Sequence, residues 1–83
     1  MKINLKLYAS LGRYLPSEAR KNEVVVRIQE EMTVDEVLRD YAVPGEMCHL
    51  VLVNGVFIPP SERDVYKLKE GDSLAVWPPV AGG

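Results

Sequence analysis

The sequence predicts an α+β domain: a mixed sheet with one main helix packed across one face. Three observations predict it. Apolar residues alternate with period two near both ends of the chain, a single capped amphipathic stretch occupies the middle, and an Asn-Gly pair follows it between two apolar runs.

The opening "KINLKLY" places Ile3, Leu5 and Leu7 on one face and Lys2, Asn4 and Lys6 on the other, a half-buried strand. A second strand, "EVVVRIQ", sets Val24, Val26 and Ile28 against Val25, Arg27 and Gln29. The Leu11–Asn22 connection between them is too long for a tight hairpin. Leu11, Tyr14 and Leu15 give it a short helix that Pro16 stops. "TVDEVLRDYAVPG" is the main helix, from Thr33 to Tyr41. Thr33 and Glu36 form a capping box, Val34, Val37, Leu38 and Tyr41 make one buried face, and Pro44-Gly45 closes it. "HLVLV" is a strand, Asn54-Gly55 a two-residue turn, and "VFI" the short return strand before Pro59-Pro60. "SERDVYKLKEGD" holds a helical turn capped by Ser61 and then a turn at Glu70-Gly71-Asp72, and "SLAVW" is the last strand. The first and last strands, each with a clean apolar face, are expected side by side at the sheet centre.

One helix covers one face of a sheet. Yet "HLVLV" is apolar at consecutive positions, and Trp77 falls in the opposite phase from Leu74 and Val76. Some apolar side chains must therefore point outward, as at a partner surface.

Composition narrows the function. The chain has 83 residues, room for one domain, and ten basic against twelve acidic residues, for a net charge of −2. That balance argues against nucleic-acid and anionic-membrane partners. One cysteine gives no internal disulfide and suits a reducing cytoplasm. No apolar run reaches the roughly 18 residues of a membrane span, and "MKINLKLYAS" alternates where a signal peptide would be continuously apolar.

Enzyme constellations are missing. There is no phosphate-binding G-x-x-x-x-G-K-[ST] loop and no paired Cys or His spacing for a metal. Cys48 and His49, adjacent in sequence, read as a small core cysteine beside a surface histidine rather than as a nucleophile and its base. "QEEM", Lys67, Lys69 and Glu70 read as solvated, Tyr41 as helix core, and Phe57 as a strand residue at the core edge or an interface.

The chain ends "WPPVAGG". Pro78 and Pro79 favour an extended backbone, Val80 and Ala81 are small and uncharged, and Gly82 and Gly83 carry no side chain. Residues 1–77 therefore form the domain and 78–83 a tail, which can reach roughly 20 Å when extended.

The element order joined to this ending resembles the ubiquitin-like sulfur carriers, the family of the small subunit of molybdopterin synthase and of the thiamine-pathway carrier. "TVDEVL", "LVLVNGVFI", "EGDSLAVWPPVAGG" and the opening strand carry the likeness across nearly the whole chain. The resemblance implies a ubiquitin-like β-grasp fold and a non-catalytic carrier that binds no cofactor or metal itself. It also implies that Gly83 is adenylated by a ubiquitin-activating-like adenylyltransferase using ATP and a sulfur donor, then becomes a thiocarboxylate. Gly82 and Ala81 would thread the partner's channel, and Trp77, Pro78, Pro79, Val80 and Phe57 would meet partners. The long first connection and "PPVAGG" sit closer to the molybdopterin type, whose acceptor is the synthase large subunit. Thiamine-type and tRNA-thiolation carriers, and a ubiquitin-like modifier or interaction module, are the alternatives.

Overall fold

A computed structural model describes residues 1–79 of the chain. Five strands form one sheet: β1 (Lys2–Leu7), β2 (Glu23–Arg27), β3 (Leu50–Val53), β4 (Val56–Phe57) and β5 (Ser73–Trp77). Their spatial order is β2-β1-β5-β3-β4. β5 runs parallel to β1 and antiparallel to β3, so the sheet is mixed and the first and last strands are neighbours at its centre. The helix α1 (Val34–Asp40) packs on one face. This is the mixed sheet with one covering helix that the sequence predicts, and the β-grasp arrangement that the resemblance implies.

Alternation sets the register. Ile3, Leu5 and Leu7 on β1, Val51 and Val53 on β3, and Leu74 and Val76 on β5 all turn to the helix side and are at most 1% exposed. A one-residue slip of any of these strands would move its whole apolar set into water. Val34, Val37 and Leu38 of α1 close the core from above, with Leu11 of the 3-10 helix Ala9–Tyr14 filling one end. Tyr41 is half-buried against this core. On β2 Val26 is buried, as is Ile28 one residue past its end, while Val25 is 64% exposed, as their phase predicts.

The helix starts as the sequence predicts and ends differently. Thr33 Oγ1 accepts from the Glu36 N–H at 3.2 Å, and Glu36 Oε1 accepts from the Thr33 N–H at 2.9 Å, a complete capping box. These bonds, the one from the Thr33 backbone above all, hold the Glu36 carboxyl below the usual glutamate range. Pro44-Gly45 does not close the helix. Closure comes earlier, at Ala42, whose φ is +61°. The Ala42 N–H bonds to the Arg39 carbonyl and the Val43 N–H to the Leu38 carbonyl, a Schellman motif with the buried Val43 as its apolar clasp. An alanine stands where glycine is usual, which hid the stop from sequence reading.

Ser61 is not a cap. It lies inside the 3-10 helix Pro60–Glu62, whose N-cap is Pro59 and which has no side-chain cap bond. The proline at its first turn presets φ and leaves no N–H there to be capped. The Asn54-Gly55 turn is as predicted, with φ of +52° and +82°. Gly71, at φ +84°, makes the Glu70-Gly71-Asp72 turn, and the Asp72 carboxylate accepts from the Lys69 N–H and from Asn54 Nδ2. Lys67 and Glu31, both read as solvated, are indeed exposed but pair at 3.1 Å, a surface contact contributing about 0–1 kcal/mol.

Candidate functional site

The face of the sheet away from α1 is built by the second phase of each strand. Cross-strand pairing aligns Lys6, Ala75, Leu52 and Phe57 in one row, from β1 across β5 and β3 to β4. The next row pairs Leu50 with Trp77. Tyr8, one residue past β1, continues the outward phase of Lys2, Asn4 and Lys6, and its N–H extends the parallel ladder to the Val76 carbonyl at 3.1 Å. Its ring stacks on Trp77 with centroids 4.5 Å apart and planes 11° from parallel.

The result is an apolar strip of Tyr8, Trp77, Leu50, Leu52 and Phe57 around Ala75. Leu50 is 36% and Phe57 49% exposed, and Trp77 is half-buried. Phe57 therefore belongs to the outer face and not to the core edge. Ala75 is only 8% exposed although it points outward, because a methyl group sits low between the longer Lys6 and Leu52 side chains in its row. Sequence reading found Trp77 and Phe57 and missed Tyr8. Extending the β1 alternation by one residue is the signal that finds it.

Where β5 ends, the Trp77 carbonyl accepts the His49 N–H at 3.0 Å. Pro78 follows half-buried and Pro79 exposed, so the chain leaves the sheet directly beside the apolar strip. Val80, Ala81, Gly82 and Gly83, predicted to thread and react, lie outside the described residues.

Cys48 and His49 fall just before β3 rather than within it, but their separation is as predicted: Cys48 is buried and His49 exposed. The Cys48 thiol donates to the Pro44 carbonyl at 3.5 Å, and burial pushes it up, away from the reactive thiolate. It borders a cleft of about 320 Å³ lined by Asp35, Leu38, Arg39, Val43 and Gly45, with no histidine among them, and the negative charge of Asp35 disfavours the Cys48 thiolate further. Among the described residues no group of three or more His, Cys, Asp or Glu side chains is placed to hold a metal ion, and no helix is long and apolar enough to cross a membrane.

The ThiS family model matches residues 13–83, from the first 3-10 helix to the final glycine. The chain belongs to the ThiS family. It is thus of the ubiquitin-like sulfur-carrier type, and its solved structural relatives have the same fold. The solution structure of the Haloferax volcanii HVO 2177 protein superposes with a TM-score of 0.76 at 25% identity, covering 100% of this chain and 87% of that one. The crystal structure of H. volcanii small archaeal modifier protein 1 gives 0.63 at 22% identity, with 95% and 98% covered. In the complex of subunits 1 and 2 of molybdopterin-converting factor from Helicobacter pylori, the matching chain gives 0.57 at 16% identity, with 100% of both covered. No curated protein matches the chain significantly.

Proposed function

We propose that this ThiS-family chain is a carrier that moves sulfur on the carboxyl of Gly83, at the end of the tail that extends from the handle formed by residues 1–77. The observation that carries this reading is the family match, which runs through Gly82-Gly83. In this reading the Gly83 carboxylate attacks the α-phosphorus of ATP in a ubiquitin-activating-like adenylyltransferase, and pyrophosphate leaves. A sulfur nucleophile at the sulfide level then adds to the acyl carbon of the adenylate and expels AMP, leaving a thiocarboxylate. The sheet's outer strip docks the carrier, while Pro78 to Gly83 enter a site closed to water. Glycine suits the end of such a tail, since a Cβ would restrict φ/ψ and widen the chain.

The complex of the two H. pylori molybdopterin-converting factor subunits supports molybdopterin synthesis as the pathway and a large subunit as acceptor. The likeness to small archaeal modifier protein 1 supports a second reading, in which Gly83 is joined to a lysine of another protein. Mass spectrometry separates the two. Incubation with the adenylyltransferase, ATP and a sulfur source should exchange one oxygen for sulfur at Gly83. Removing Gly83, or adding one residue after it, should abolish the exchange. A Gly-Gly remnant on lysines of other proteins, with no thiocarboxylate on the free chain, would establish the modifier reading instead.

A further inference from the structure

Arg63 is 5% exposed, the one buried cation among the described residues. Its guanidinium holds backbone: Nε donates to the Ile58 carbonyl at 2.9 Å, Nη1 to the Cys48 carbonyl at 2.7 Å and Nη2 to the His49 carbonyl at 3.2 Å. Charge-assisted bonds to three carbonyls offset the cost of burying the cation. Those carbonyls sit next to the outer strip. Ile58 directly follows Phe57, and His49 directly precedes Leu50, the cross-strand partner of Trp77. His49 also gives its N–H to the Trp77 carbonyl, the bond at the point where the tail departs.

We propose that Arg63 is a positioning residue for partner docking. From the core side, one planar fork fixes the backbone on which Phe57 and Leu50 are displayed and aligns His49 to hold Trp77, so it sets both the strip and the exit direction of Pro78. A lysine could not do this, because one ammonium cannot present the same rigid, planar set of donors to two segments. The docking consequence rests on the carrier reading given above; the hold on His49 does not.

Two measurements on the full chain test the two parts separately. In Arg63→Met, exchange of the His49 amide, followed by NMR, should accelerate about tenfold or more relative to the β1 amides. In adenylation with the carrier as varied substrate, KM should rise about tenfold with kcat within about twofold, the signature of lost docking rather than lost chemistry. Arg63→Lys, which keeps the charge, should behave similarly, and it replaces Arg63→Met if that chain does not fold. His49→Pro removes the donor to Trp77 without touching Arg63 and should raise KM as well. Combined with Arg63→Met it should raise KM by less than the product of the two single effects, since both release the hold on Trp77 while Arg63→Met also frees the Ile58 carbonyl next to Phe57. Equal acceleration at every amide, an unchanged His49 amide, full rescue by lysine, or multiplied KM effects in the double variant would each overturn the proposal. If the unmodified chain is not adenylated at all, the carrier reading and the docking consequence fall together, and His49 exchange still decides whether Arg63 holds that backbone.

Discussion

Replacing Trp77 by alanine should cost about 2–3 kcal/mol of stability as well as partner affinity. The phase of Trp77 alone suggests an exposed anchor whose loss leaves the fold untouched. Its stack on Tyr8, at 4.5 Å and 11°, changes that expectation. Such a pair contributes about 0.5–1.5 kcal/mol beyond area burial. Truncating a half-buried indole also forfeits on the order of 100 Å² of covered apolar surface, about 2.5 kcal/mol at 25 cal/mol/Å². Part of that area is already covered in the unfolded chain, which keeps the sum near the range given. The assay is urea unfolding followed by far-UV circular dichroism, because Trp77 is the only tryptophan and its fluorescence goes with it. Trp77→Phe should lose less than half as much, since a phenyl ring can still stack on Tyr8. A cycle through Tyr8→Ala should show coupling of about 1 kcal/mol. An unchanged midpoint for Trp77→Ala, or strictly additive Tyr8 and Trp77 effects, would refute the stacking account. Binding to the adenylyltransferase or acceptor should weaken by about 2 kcal/mol or more on the same truncation, as for other buried aromatic anchors.

Ala42→Gly should raise stability by about 0.5–1 kcal/mol in thermal melts, because glycine removes the left-handed strain at φ +61° at some cost in unfolded-state entropy. Glu36 has a folded pKa below its unfolded one, so its contribution is complete above the usual glutamate pKa and is lost as pH falls through the folded value. Glu36→Gln should therefore lower stability at neutral pH and flatten its acid dependence in unfolding curves. Cys48, buried and with its thiol pushed up by that burial, should react with a maleimide far more slowly in the folded chain than in urea. Cys48→Ala should retain full thiocarboxylate formation by mass spectrometry; a folded but inactive variant would place the sulfur chemistry on this thiol instead.

What the sequence by itself determined is what depends on local pattern. Period two fixed which side chains of β1, β2 and β5 enter the core, the Thr33–Glu36 box fixed the start of α1, and Asn54-Gly55 fixed the hairpin, whereas β3, apolar at consecutive positions, took its inward face from pairing with β5. The same periodicity placed Trp77 on the outer face, and the ending "WPPVAGG" singled out the tail. Only the tertiary structure decided what depends on residues distant in the chain. Tyr8 meets Trp77 because β1 and β5 pair in parallel, 69 positions apart in sequence, and no local spacing carries that register. Arg63 looks like any surface arginine in "SERDVY", yet the turn that follows Pro60–Glu62 buries it against carbonyls of two other segments. Ala42 closes α1 because tertiary packing of Val43 holds it in a conformation that alanine alone does not favour. Local propensity acts over a few residues, whereas burial and pairing act across the whole chain, and the docking face belongs to the second kind.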